Sequence, residues 1–464
     1  MTTLAQLTAD LPEPLVEDFQ PQLLAMRDAI GRKVIILDDD PTGTQTTHGV
    51  PVMTQWSVDL FVDALESKAP AVFVLTNTRA MTANAAMQLN KTLAQQLRAA
   101  RARTGKEFVI ISRSDSTLRG HFPQEPEILS EALDLCDAWV LTPFFKEGGR
   151  FTIGDVHYVQ DGEQLLPASQ TPFAKDHAFG YTSSNLQDWV VEKTGGQISK
   201  DKIVSLSLEA IRTQSVQKLA QRLSKVPKGG LIVINAVVST DMQKATLALM
   251  SLEQTGKHLV YRTAASFVQS RSAIVAKPPM TGQDLLDGQG TGGLVVAGSY
   301  VPKTTQQLAE LKSLPGLLGL ELDVQAVLRG GDVSSLLDDL TKKVEVGLRA
   351  DRVVLLMTSR KQQTGQGQAG LGAGQQISDA LVGVVKRLSV RPRWLMAKGG
   401  ITSSDVATEG CRIQMAQVLG QVVPGVPVWR CGEETRFPGM AYIVFPGNVG
   451  GAGAVLEAVE RLAI

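Results

Sequence analysis

Short runs of β-branched and other apolar residues recur along this chain, separated by polar stretches of helix-favouring composition. KVIIL (33–37), AVFVLT (71–76), FVIIS (108–112) and AWVLT (138–142) read as buried strands in the first half. LIVIN (231–235), GLVVAG (293–298), VVLLM (353–357), RWLMA (393–397) and YIVF (442–445) continue the series. Between them lie stretches such as 83–103, rich in Ala, Gln, Leu and Arg and helical in character. Strands alternating with helices predict an α/β fold of two domains, each with a mainly parallel sheet flanked by helices.

The stretch KPPMTGQDLLDGQGTGG (277–293) is rich in Gly and Pro and poor in apolar residues. It marks a boundary between a domain over 31–285 and a second over 286–464. Residues 1–30 read as an N-terminal arm with one short helix, which could serve a homodimer interface. A second polar stretch, RKQQTGQGQAGLGAGQQ (360–376), is expected to be a mobile loop.

The length of 464 residues agrees with two or three domains. Hydrophobic residues at 43% and charged residues at 20% describe a soluble protein with a sizeable core. Lys plus Arg and Asp plus Glu are equal at 46 each, so net charge points to neither nucleic acid nor an anionic membrane. Any anion must be held by local arrangement. Cys136, Cys411 and Cys431 form no CxxC pair, which argues against a disulfide framework or zinc site and fits a reducing cytoplasm. The N-terminal residues lack the basic and apolar regions of a secretory signal. No apolar run approaches the roughly 18 residues of a membrane helix. A cytoplasmic protein is expected.

In the first half each strand runs into a polar segment: DDDPTG (38–43), TNTR (76–79), SRSDSTLRG (112–120) and TPFF (142–145). The carboxyl ends of parallel strands share one edge, where ligands bind. Asp39, Arg79, Asp115 and Arg119 can therefore converge. Asp38, Asp40 and Thr42 also satisfy D-x-D-x-T, the pattern of haloacid-dehalogenase-type phosphatases, with an Asp nucleophile, an Asp acid and bridging Mg²⁺. That chemistry needs a later Lys and an acidic pair at a strand end, whereas Asp338 and Asp339 sit in a helical stretch. A capped turn, with Asp and Thr side chains bonded to backbone N–H groups, is the plainer alternative. In SRSDSTLRG, Ser116 and Thr117 can donate hydrogen bonds, and Arg113 and Arg119 can form bidentate pairs with carboxylate or phosphate. Asp115 among these cations is a candidate base, unless the segment is only an internal salt-bridge turn.

Gly365, Gly367 and Gly370 match G-x-G-x-x-G without the tight strand–turn context or the later acidic residue of a dinucleotide site. Neither a P-loop nor protein-kinase signatures occur. The turns VAGSY (296–300), AKGGITSSD (397–405) and FPGNVGGAGA (445–454) each follow a strand. Glycine there lets backbone N–H groups approach phosphate, so together they suggest an anion or nucleotide site. His121 and His157 read as structural, Trp139 and Trp394 as core, and no basic–aromatic interleaving suggests nucleic acid.

With these residues in view, the chain resembles the four-carbon acid sugar kinase family, formerly a domain of unknown function. The DD-x-TG element is Asp39, Asp40, Thr42 and Gly43; DSTLRG is 115–120; the TNSR-like element is Asn77, Thr78 and Arg79. AGS at 297–299, GG-x-TS at 399–403 and GN-x-G at 447–450 continue it, so the resemblance spans about 33 to 455. It implies an N-terminal domain for a four-carbon sugar acid and a C-terminal domain for ATP, with Mg²⁺ neutralising phosphate charge. The implied reaction is ATP-dependent phosphorylation of the terminal hydroxyl of a tetronate or 3-oxo-tetronate. Asp40, Arg79, Arg113, Ser116, Thr117 and Arg119 would bind substrate, with Arg79 and Arg119 clamping its carboxylate; Asp39 or Asp115 would accept the hydroxyl proton. Ser299, Gly399, Gly400, Ile401, Thr402, Gly447 and Asn448 would bind nucleotide, and a site split between the domains implies closure. The sequence departs from the common GGETS at Ile401 and from KSGNFG at Phe445, which removes a carboxylate and a cation. An Asp38/Asp40 phosphatase and a non-catalytic sugar-acid sensor stand as alternatives, and the sequence names no metal ligands.

Overall fold

The computed structural model describes residues 2–133, 136–298, 302–330, 332–359, 368–447 and 449–463. The chain divides into two units: Met1–Val50 with Gln55–Ala276, and Pro51–Thr54 with Lys277–Ile464. Residues 277–285 go with the second unit because their short helix, Gly282–Leu285, packs on the helix Ala454–Ala463.

Unit 1 holds β1 (Lys33–Asp38), lends β2 (Pro51–Met53) to unit 2, and continues through β3 (Ala71–Leu75), β4 (Phe108–Arg113) and β5 (Ala138–Thr142). A separate antiparallel sheet of β6 (Arg150–Ile153), β7 (Val156–Asp161) and β8 (Gln164–Pro167) follows. The unit ends with β9 (Ile203–Leu206), β10 (Gly230–Ile234) and β11 (Leu259–Thr263). Its main sheet is wholly parallel in the order β3-β1-β4-β11-β5-β10-β9. The β1 core, Val34 to Leu37, is buried on both faces, which is why it reads as one apolar run rather than an alternation. The helix Ala83–Thr104 is capped by the Thr82 side chain and ended by left-handed Gly105, and it buries Ala86, Leu93, Ala94, Leu97 and Ala100 on one face. Residues 1–30 carry two helices, Leu4–Thr8 and Gln20–Ile30. The second buries Leu23 against Leu247 and Met250 of the helix Ser239–Gln254.

Unit 2 contains β12 (Gly293–Ala297), β13 (Leu318–Leu322), β14 (Val353–Thr358), β15 (Trp394–Lys398), β16 (Met415–Val423), β17 (Val426–Cys431) and β18 (Ala441–Phe445). The order β13-β14-β12-β15-β18 is parallel, and β18-β17-β16-β2 continues it antiparallel. The loop expected over 360–376 is corrected in part. Residues 360–367 lie outside the described ones, and Gln368 opens the helix Gln368–Arg387, where Ala, Gln and Leu favour helix despite the glycines.

In both sheets the chain reverses its direction of growth beside the first strand. Unit 1 goes from β1 to β3 on one side and β4 on the other; unit 2 goes from β12 to β13 and β14 on one side and β15 on the other. Crevices at such switch points, at the carboxyl ends of the strands, are where open α/β sheets bind ligands.

Candidate functional site

At the unit 1 switch point, β1 ends at Asp38 before Asp39 and Asp40, and β4 ends in Arg113 before Ser114 and Asp115. Asp38 lies in register with Arg113, and the Asp39 N–H donates to the Arg113 carbonyl at 3.2 Å. Each of the three adjacent carboxylates has its own set of partners, with Arg79 shared by Asp39 and Asp40. Asp38 accepts from Arg113 Nη1 at 3.3 Å. Asp39 takes Arg79 Nε at 3.2 Å and Nη2 at 2.5 Å, plus the Ser114 hydroxyl at 2.5 Å. Asp40 accepts from Arg79 Nη1 at 3.2 Å, and its other oxygen caps the Pro41–Thr44 turn through the Thr42 N–H and hydroxyl. The capped turn and the charged cluster are one structure.

The 115–119 segment closes the crevice. Asp115 Oδ2 accepts from Arg119 Nε at 2.7 Å and from the Thr117 hydroxyl, while its Oδ1 lies 3.8 Å from Arg79 Nη1. Arg119 stacks on the Phe173 ring and lies 3.8 Å from Asp176. His157 is fully buried and supports this segment, donating from Nε2 to the Ser116 carbonyl while Nδ1 accepts from Thr152. Burial pushes its imidazole down to about 4, so it stays neutral. Gly120 has a φ of +115°, and a Cβ there would fall 2.5 Å from both Arg262 Nη2 and Ser114 Oγ and 3.0 Å from Asp39 Oδ2. Only glycine lets the segment lie this close to Asp39.

Behind the cluster, Glu125 pairs with Arg262 at 2.5 Å and accepts from Thr78 at 2.6 Å, all three groups being buried. Ser114, Glu125 and Arg262 were not singled out from the sequence. Ser114 sits between quoted motif residues, and its hydroxyl next to Asp115 was the available signal. Glu125 and Arg262 lie in a helix and a strand without motif character, so only the folded chain shows them.

The carboxylates are electrostatically unequal. Burial raises Asp38 to about 7, with Arg113 only partly offsetting it. Burial also acts on Asp40 and Asp115, but their partners outweigh it: Arg79 first, then the Thr42 hydrogen bond and Arg113 for Asp40, and Arg79 and Arg119 for Asp115. Both are held below the ordinary carboxylate range. A carboxyl raised from 3.8 to about 7 on folding stabilises most while protonated, and that contribution fades as pH rises through this window. Asp38→Asn should therefore gain stability relative to wild type between about pH 4 and 7, by at most about 4 kcal/mol. Urea unfolding of both proteins across that range checks this; parallel curves would refute it.

In unit 2, β12 leads into Gly298, β15 into Gly399 and Gly400, and β18 into Pro446 and Gly447. Gly298 and Thr402 are neighbours, since a Cβ on Gly298 would lie 2.8 Å from Thr402 Oγ1. Gly399 has a φ of +107°, and its N–H donates to the Phe445 carbonyl at 2.9 Å. Ile401 is 58% exposed at the start of the helix Gly400–Asp405, and Thr402 is buried. Gln307 of the helix Pro302–Leu311 donates to the Val449 and Gly451 carbonyls at 3.0 and 2.9 Å, fixing the turn after β18. Ser299 and Asn448 lie outside the described residues. Glycine turns that let backbone N–H groups come close to a ligand suit an anionic phosphate chain. Among the described residues no group of three His, Cys, Asp or Glu side chains could hold a metal ion. Mg²⁺ bound mainly through phosphates needs no such group.

Residues 34–271 match the family model of a sugar-binding N-terminal domain, and 294–455 match that of a nucleotide-binding C-terminal domain. The chain belongs to the four-carbon acid sugar kinase family. A D-erythronate kinase of Heliobacterium modesticaldum (strain Ice1) is 24% identical over 304 residues, a stretch covering 64% of this chain and 64% of that protein's length. Two solved structures share the fold. A Salmonella typhimurium LT2 protein, provisionally labelled a tRNA synthase, matches at TM-score 0.69 and 15% identity over 92% of this chain and 98% of its own. A Haemophilus influenzae protein of the DUF1537 family matches at TM-score 0.61 and 17% identity, over 92% and 100%. The two family domains coincide with the two switch-point clusters: the charged one falls in the sugar-binding domain and the glycine turns in the nucleotide-binding one. Among the described residues, no helix is long and apolar enough to cross a membrane.

Proposed function

We propose that this family member is an ATP-dependent kinase that phosphorylates the terminal hydroxyl of a four-carbon sugar acid, a tetronate or 3-oxo-tetronate. The observation that carries the reading is the division of chemistry between the units. One switch point is dense in Asp, Arg, Ser and Thr able to orient a hydroxylated acid; the other offers glycine turns whose backbone can approach a polyphosphate.

Bound Mg·ATP supplies the phosphoryl group and neutralises its charge. The chain's own residues bind and orient the acceptor. Arg79 has Nε and Nη2 taken up by Asp39 and Nη1 by Asp40, so its role is to hold the carboxylates in place rather than to clamp substrate. Arg119 is the better partner for the substrate carboxylate, because among the described residues its Nη groups have only the 3.8 Å approach to Asp176. Among the described residues the nearest cation to Asp115 Oδ1 is Arg79 Nη1 at 3.8 Å, which leaves that oxygen room to accept, and we assign it to the hydroxyl that receives the phosphoryl group. Asp39, with both oxygens engaged, fixes Arg79 and Ser114 beside it.

The phosphatase alternative needs Asp38 as an accessible nucleophile. Asp38 is 2% exposed, and its carboxylate fills the space a Cβ on Gly43 would take. ADP release from Mg·ATP across a panel of four-carbon sugar acids, their 3-oxo forms and branched analogues tests the proposal. Turnover with one acid is expected. Binding-induced melting shifts with no ADP from any acid would favour the sensor alternative instead.

A further inference from the structure

The carboxyl edge of the unit 2 sheet contains a cation whose bonding among the described residues is incomplete. Lys398 ends β15, in register with Ala297 of β12 and Phe445 of β18. Its side chain is fully buried at 0% exposure. The ammonium lies 4.4 Å from the centroid of the Phe445 ring and donates to the Pro446 carbonyl at 3.1 Å. An ammonium has three N–H donors. Among the described residues it has no carboxylate partner, although a buried charge is normally paired.

The surroundings make the missing partner an anion. Pro446 opens the turn after β18, and the Gly399 N–H next to Lys398 bonds the Phe445 carbonyl, so the ammonium sits where two glycine turns meet. Among the described residues the charged group whose field reaches it is Lys303, in the first turn of the helix Pro302–Leu311, and it too is positive. Neither β12 nor β18 presents an acidic side chain here, and Asp405 of the following helix is engaged with Ser378 at 2.5 Å. Burial, and then Lys303, push the Lys398 amine down to about 7.

We propose that Lys398 grips the terminal phosphates of the bound nucleoside di- or triphosphate, completing its hydrogen bonds on their oxygens. This rests on reading unit 2 as the nucleotide-binding unit. The free protein holds a partly discharged amine, and an arriving phosphate restores the full charge. Nucleotide binding therefore takes up a proton at mildly alkaline pH.

The test is titration calorimetry of Mg·ADP into the full chain at pH 8, in buffers of different ionisation enthalpy, for wild type and Lys398→Met. The wild type should bind with a buffer-dependent heat corresponding to uptake of up to about one proton. Lys398→Met should lose that dependence and bind about ten- to a hundred-fold more weakly, the size of a charge-assisted hydrogen bond. Its melting temperature without nucleotide should be no lower than wild type, since the substitution removes an unpaired buried charge. The wild-type buffer series stands alone if the variant does not fold. Wild type that binds Mg·ADP with no buffer dependence, or a variant that binds as tightly as wild type, overturns the Lys398 assignment and leaves the nucleotide site standing. Wild type that binds no nucleotide overturns both.

Discussion

Arg79→Met should lower kcat/KM for the preferred acid by about a thousand-fold or more and lower the melting temperature by about 6 °C. Among the described residues Arg79 is the one cation bonded to both Asp39 and Asp40, and it also lies 3.8 Å from Asp115. Removing it leaves buried carboxylates facing one another without a counter-charge. Breaking one partner of a buried pair costs about 3 kcal/mol or more, which for a unit this size is several degrees. The kinetic loss is larger because the crevice opens when the carboxylates repel, and a small misplacement in phosphoryl transfer is expensive. Arg79→Lys keeps the charge but not the two-pronged geometry toward Asp39, so it should fall between the two. A coupled ADP assay and thermal unfolding read both effects. Wild-type turnover in Arg79→Met would remove this cluster from the reaction.

The second large effect is expected at Asp115. Asp115→Asn keeps the shape of the side chain and deletes one charge, while Arg79 keeps Asp39 and Asp40 and Arg119 keeps Asp176 nearby. Stability at neutral pH should fall, because a carboxyl that Arg79 and Arg119 hold below its ordinary range favours the folded state while ionised, and kcat should fall about 10²- to 10⁴-fold, the range for losing a group that takes a proton or orients a hydroxyl. Nucleotide affinity should be unchanged. Burial would raise the Asp115 carboxyl, but Arg79 and Arg119 outweigh it and keep it ionised through the neutral range. The acid limb of the pH–rate profile should then not originate at this residue. If Asp115→Asn turns over normally while Asp39→Asn does not, the hydroxyl belongs to Asp39.

Much of this was legible before folding. The strand runs were readable because strands covered on both faces need unbroken apolar residues, and β1, β3, β4, β12, β14, β15 and β18 all fall on such runs. The polar segments after β1, β3 and β4 are brought together because a parallel sheet aligns its carboxyl ends. Strands of less regular pattern were missed: β2, β6 to β8, β9, β11, β13 and the β16–β17 hairpin. Their residues mix polar with apolar or sit at sheet edges, as in the half-exposed β13. The helix from Gln368 was masked by its glycines.

What the sequence alone determined is the kind of chemistry and its rough address: carboxylates and arginines at strand ends in one half, glycine turns in the other. Which carboxylate meets which arginine was decided only in three dimensions. Adjacent Asp38, Asp39 and Asp40 point to different environments because β1 alternates its side chains and the following turn rotates them. That geometry buries Asp38 against Gly43, locks Asp39 on Arg79 and leaves Asp115 with an open oxygen. Lys398 shows the same limit. In the chain it is one lysine before a glycine pair; its lack of a carboxylate partner among the described residues arises from burial between neighbouring strands, and no one-dimensional pattern records that.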